Sequence, residues 1–156
     1  MLVNYIIYEY QGQIIFTKRK RGAGVIRGLE AYMYGAILGD IIGSPFEFDR
    51  GDKTKNFELF SKGCGFTDDS VMTIAVGEAL LAVGPKAAVK EIEEAVASNR
   101  QDWGERYPHA GYGGKFRHWL KEKNPKPYGS YGNGSAMRVS AAGWLYDSME
   151  RTREVA

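Results

Sequence analysis

The sequence has a single cysteine, Cys64, among 156 residues, which rules out an internal disulfide and fits a reducing, cytoplasmic setting. It has only two histidines, His109 and His118. Neither has a second His or a Cys at zinc-ligand spacing. No apolar run approaches the roughly 20 residues that a membrane-spanning helix needs. The N-terminal apolar stretch is too short and mixed for a signal peptide. Charge of one sign is scarce as well: 21 Lys+Arg against 19 Asp+Glu leave a formal net charge of +2, so no acidic partner is implied. The local basic cluster Lys18, Arg19, Lys20, Arg21 and Arg27 reads as a solvated charge run more readily than as a nucleic-acid contact. There is no Walker loop, no G-x-G-x-x-G and no internal repeat. The remaining composition, 44% hydrophobic and 26% charged, is that of a globular protein. A chain of this length buries about two-thirds of its surface when it folds as one domain.

Three segments carry chemistry. In Phe66-Thr67-Asp68-Asp69-Ser70-Val71-Met72-Thr73, two adjacent carboxylates and flanking hydroxyls open an apolar run that reaches Val83. Oxygen donors crowded at one point suit a hard cation such as Mg²⁺ or Mn²⁺. The same residues also read as a helix start, with Thr67 or Asp68 as cap and an acid answering the helix dipole.

The second segment runs from Tyr34 to Phe48. Gly35, Gly39 and Gly43 recur every four residues and line one helix face, where bare glycine admits another backbone at close range. Asp40 sits within this apolar pattern and needs a partner if it is buried. Pro45 ends the helix, and Glu47 falls in the loop beyond. The third segment, Tyr128 to Arg138, places three glycines, two serines and Asn133 before a predicted helix near Ser135. Backbone N–H groups at such a junction suit phosphate oxygens. An ordinary turn with Asn133-Gly134 at its tip is the plainer alternative.

Together these segments resemble the ADP-ribosylglycohydrolase family, which includes the dinitrogenase reductase-activating glycohydrolases. The family signatures G-A-x-x-G-D-x-x-G-x-x-x-E, T-D-D-[ST] and Y-G-N-G-x-A-M-R match Gly35 to Glu47, Thr67 to Ser70 and Tyr131 to Arg138, in the family's order. The resemblance implies an all-α, orthogonal helical fold. It implies metal-assisted cleavage of the glycosidic bond that joins ADP-ribose to a modified protein side chain or related acceptor, with two Mg²⁺ or Mn²⁺ ions at the centre. By the same resemblance, Thr67, Asp68 and Asp69 are metal ligands, Glu47 is the catalytic carboxylate, and Ser130, Tyr131, Gly132 and Asn133 contact the diphosphate. Asp40 is then structural support. An ADP-ribose-binding module without turnover is the alternative. The family's second metal cluster, D-x-D-[ST], has no counterpart in this sequence. The expectation is therefore the N-terminal part of the domain, inactive alone, with apolar helix faces that favour self-association.

Residues 1–32 carry none of these motifs and read as an appendage of two short strands, Leu2–Tyr10 and Gln13–Thr17, joined at Gln11-Gly12. From residue 33 the domain proper is expected. Its helices are predicted at Tyr32–Ser44, Asp69–Val83, Lys86–Asn99, Lys115–Lys123 and Ser135–Ser148, with a loop from Gln101 to Gly114 and a further helical stretch from Glu150. Arg138, at the end of the Y-G-N-G loop, is of the right type to pair with diphosphate; lying a full turn into the last of the five helices, it reads first as a structural salt-bridge residue.

Overall fold

A computed structural model describes residues 5–10, 13–18, 26–48 and 54–156, with side chains from residue 33 onward. Strands β1 (Tyr5–Tyr10) and β2 (Gln13–Lys18) pair antiparallel, Tyr5 opposite Lys18 and Tyr10 opposite Gln13. The Gln11-Gly12 connection and most of the basic stretch lie outside the described residues. Among the described residues everything else of regular structure is helical: α1 (Ile26–Gly43), a 3₁₀ turn (Ser44–Phe46), α2 (Asp68–Val83), α3 (Val89–Arg106), α4 (Gly114–Trp119), α5 (Gly134–Met137), α6 (Ser140–Leu145) and α7 (Met149–Val155). The all-α class expected from the sequence is the class observed. Among the described residues no helix is long and apolar enough to cross a membrane.

Helix α2 is the centre. Its sequence is apolar on every face, which suits a helix surrounded by others, and all residues from Ser70 to Gly77 are buried. It packs against α1, α3 and α6. One cluster gathers Ile37, Met72, Ile74, Trp103, Tyr112 and Phe116; a second gathers Val76, Leu80, Ile92, Ala142 and Tyr146. Gly84 ends α2 with φ of 82°, in the region that favours glycine, and donates its N–H to the Leu80 carbonyl at 3.0 Å.

Several boundaries depart from expectation. Helix α1 begins at Ile26, ahead of Tyr32. Its glycine face admits no close neighbour: a Cβ on Gly35, Gly39 or Gly43 would meet nothing within 4 Å among the described residues. The close approaches fall at Gly77, where a Cβ would stand 2.9 Å from Met33 Cε, and at Gly104, 2.7 Å from Leu120 Cδ1. Helix α3 starts at Val89 and continues through Arg106, across residues expected as loop. Tertiary burial explains the extension. Trp103 is 2% exposed and its indole donates to Glu78 Oε2 at 2.6 Å, while Gln101 donates to the Glu122 carbonyl at 2.8 Å. The single helix expected at Ser135–Ser148 is two short ones. The Thr73 hydroxyl donates to the Met137 carbonyl at 3.2 Å, drawing that carbonyl to α2 where the helix breaks. Ser148 instead caps α7, accepting from Arg151 N–H at 3.1 Å.

Candidate active site

The site is built at the N-terminus of α2, where free N–H groups need acceptors. Thr67 is the N-cap, its hydroxyl accepting from Asp69 N–H at 3.3 Å. The larger contribution comes from α1. Asp40 Oδ2 accepts from Thr67 N–H at 2.8 Å, Ser70 N–H at 3.1 Å and the Ser70 hydroxyl at 2.6 Å; Oδ1 accepts the Thr67 hydroxyl at 2.6 Å. Four donors occupy the Asp40 carboxylate, so it holds the turn in place and has little left for a ligand. Ser44 adds a second tie, accepting from Gly65 N–H at 3.1 Å.

With Thr67 and Ser70 turned toward Asp40, carboxylates crowd the end of α2. Burial, then the neighbouring charge of Asp69, then Glu47 and Asp40, raise Asp68 from the ordinary 3.8 to about 6. Asp69 is raised by burial and by the charges of Asp40 and Glu47. Glu47, just past the 3₁₀ turn, is exposed and within electrostatic reach of both aspartates. Gly111, with φ of 102°, lets the backbone pass Asp68: a Cβ there would stand 3.4 Å from Asp68 Oδ1. The next residue, Tyr112, is 3% exposed and its hydroxyl has no hydrogen-bond partner. Burial and the Asp68 charge push that phenol well above its usual range.

The glycine loop is the other candidate segment. Ser130, Tyr131, Gly132 and Asn133 are all exposed, Tyr131 completely. Internal bonds are few: Gly132 N–H donates to the Ser130 hydroxyl at 3.2 Å, and the Asn133 carbonyl accepts from Ala136 and Met137 at 2.8 and 3.1 Å. Arg138 follows α5. Its guanidinium stands 5.3 Å over the Phe116 ring, and it feels the charge of Asp68. The salt bridge expected for Arg138 is absent: no carboxylate among the described residues is within ion-pair distance of it.

The donors at the end of α2 are hard oxygens, the right kind for a divalent cation, and a cation would relieve the mutual repulsion of Asp68, Asp69 and Glu47. In number they fall short. Among the described residues no three Asp, Glu, His or Cys side chains converge as a metal site.

The family model for ADP-ribosylglycohydrolase matches residues 26–156. The chain belongs to the ADP-ribosylglycohydrolase family. A relative is the ADP-ribosylhydrolase ARH3 of Bos taurus, 28% identical over 167 residues, an alignment that covers 86% of this chain and 44% of that protein. The chain thus spans less than half the length of the relative. No solved structure matches it.

Seen as part of an ADP-ribosylglycohydrolase domain, the motif residues fall into two groups. Glu47, Asp68 and Asp69 share one electrostatic neighbourhood with Asp40. Ser130 to Asn133 lie on the exposed loop that leads through α5 to Arg138. Sequence reasoning missed Gly111 and Tyr112 against Asp68, because His109-Ala110-Gly111-Tyr112-Gly113 reads only as a glycine-containing loop.

Proposed function

We propose that this chain supplies the N-terminal part of an enzyme that hydrolyses the glycosidic bond of ADP-ribose adducts on protein side chains or related acceptors. The observation that carries the reading is the four-bond grip of Asp40 on the start of α2, which sets Asp68 and Asp69 side by side within reach of Glu47. Maintaining such repulsion has a free-energy cost that packing alone does not require. Thr67, Asp68 and Asp69 would hold a divalent cation, Mg²⁺ or Mn²⁺, and a cation there supplies an acidified water and charge for the leaving oxygen. The residues of this chain do the rest. Asp40 orients the ligands, Glu47 is the carboxylate free to accept or return a proton at the scissile bond, and the loop Ser130–Asn133 binds the diphosphate.

Non-catalytic binding of ADP-ribose is the second reading, favoured by one observation: no three metal-ligating side chains converge among the described residues. Turnover then needs carboxylates beyond those of the described residues. Of the helix faces expected to drive self-association, α2 is buried from Ser70 to Gly77, and the exposed Leu38 on α1 and Leu81 on α2 are the apolar residues on them that would serve it. The deciding experiment measures ADP-ribose binding and Mg²⁺-dependent release of ADP-ribose from a modified protein. Binding with negligible release is expected of the chain alone. Release should appear when the C-terminal half of a relative, with its D-x-D-[ST], is added. Rapid release by the chain alone would overturn the view that its ligand set is incomplete, and failure to bind ADP-ribose would overturn both readings.

A further inference from the structure

The glycine loop lacks the anion-holding device that its sequence suggests. A long helix after the loop would present free N–H groups and a dipole. Helix α5 is a single turn, Gly134–Met137, too short for either effect to build up. Positive charge at this loop must come from side chains.

Two arginines are in place. Arg138 follows α5 directly, and its Nη1 lies 3.4 Å from where a Cβ on Gly134 would stand, so the guanidinium rests against the base of the loop. It stands 5.3 Å over the Phe116 ring. Phe116 stacks on Trp119, with centroids 5.4 Å apart and planes at 16°, and Arg100 stands 4.5 Å over Trp119. The rings are buried and the indole N–H of Trp119 is fixed by the Lys126 carbonyl at 2.9 Å, so the support is rigid. A flat ring under a guanidinium orients its planar fork. Neither arginine has a carboxylate within ion-pair distance among the described residues. Burial lowers both, and the charge of Arg138 helps to bring Arg100 to about 10, so both stay charged at neutral pH. Two like charges, partly removed from water and with no carboxylate in ion-pair distance among the described residues, are relieved by an anion.

We infer that Arg138, backed by Arg100, holds a diphosphate against the loop Ser130–Asn133. The inference rests on the reading of that loop as the diphosphate contact and adds the charge the loop lacks. A forked guanidinium offers two parallel N–H groups to phosphate oxygens, and the second arginine balances the second negative charge.

Calorimetric titration of the chain with inorganic pyrophosphate at low salt tests this, with ADP-ribose as a second titrant. Binding is expected in the parent, weakened at least about tenfold in Arg138→Met, less in Arg138→Lys, which keeps the charge without the fork, and least in Arg100→Met. The guanidinium NMR resonance of Arg138 in the unsubstituted chain should move during the titration, a readout that stands even if Arg138→Met fails to fold. Absence of pyrophosphate binding by the parent, a folded Arg138→Met that binds as tightly, or an Arg138 resonance that stays still while pyrophosphate binds would each overturn the inference. ADP-ribose bound without displacing pyrophosphate sinks the inference and spares the ADP-ribose reading. Pyrophosphate binding lost in Arg138→Met, with no ADP-ribose binding at all, does the reverse.

Discussion

The start of α2 and the glycine loop are the two halves of the site we propose, and they are built in opposite ways. Thr67–Ser70 is clamped by Asp40 and closes on a helix whose next turns are fully buried. Ser130–Asn133 is open to solvent and held by little beyond one side-chain bond and the Asn133 carbonyl. Charge is distributed in the same contrast. The acidic half holds like charges at short range, which demands a rigid frame. The loop half presents exposed backbone groups that water satisfies. The stability of this chain therefore resides in the acidic half, and changes in the two halves should be read by different instruments.

The sharpest break of that contrast is Asp40→Ala. It removes four hydrogen bonds at once and leaves the Ser70 hydroxyl, 1% exposed, without its acceptor. A loss of about 3–5 kcal/mol is expected, near 10 °C in melting temperature for a chain of this size. A melt within 2 °C of the parent, by any calibrated thermal method, would mean that the clamp is incidental.

The double substitution Asp68→Asn/Asp69→Asn should act in the opposite direction on stability while abolishing Mn²⁺ binding. The parent is expected to show at most one weak Mn²⁺ site by calorimetry, since the ligand set is short. In metal-free buffer, ionised Asp68 is disfavoured in the folded chain, where it titrates at about 6 rather than 3.8. Between those values the folded chain retains a proton that the unfolded chain has released. Stability from this group therefore falls as pH rises from about 4 to about 6 and is level above that. Asp68 is only half-buried, so after screening the penalty at pH 7 is of order 1 kcal/mol. The Asn variants should gain that much over the parent at pH 7 and nothing at pH 3.5. If the double variant binds Mn²⁺ as well as the parent, the triplet is only a helix cap.

We further propose that residues 1–32 are an appendage to the helical domain, and removing them should matter less. A chain that begins at Met33 loses Ile26–Tyr32 of α1 but keeps Asp40 and the Met33 thioether that packs beside Gly77. Circular dichroism should show the same helical core with cooperative melting. A non-cooperative melt would show that the first turns of α1 belong to the domain's foundation.

The acidic half was legible because its sequence is locally dense: Thr67-Asp68-Asp69-Ser70 before an apolar run states a helix start and a charge cluster together. The role of Asp40 was legible as a polar residue in an apolar helix that needs partners. What the sequence could not convey was distance. Gly111 and Tyr112 reach Asp68 through tertiary packing, and Trp103 carries α3 through Arg106 by finding Glu78 on α2. The break between α5 and α6 likewise depends on Thr73, 64 residues before Met137 in the chain. The glycine face of α1 is the reverse case. Its spacing was plain, yet the close approach it suggested is made by Gly77 and Gly104 instead.

The smallest structural effect is expected in the loop, where it sharpens the contrast most. Tyr131 is completely exposed, so Tyr131→Ala removes no packing and should leave stability within about 0.5 kcal/mol. Its ring is free to lie on a base or sugar that enters from solvent, and such stacking contributes about 1–3 kcal/mol. ADP-ribose affinity should fall about tenfold, while pyrophosphate, which has nothing to stack, should bind as before. Equal losses for both titrants would show that the substitution reshapes the loop backbone. An unchanged ADP-ribose affinity would place the nucleoside elsewhere and leave the loop with the diphosphate alone.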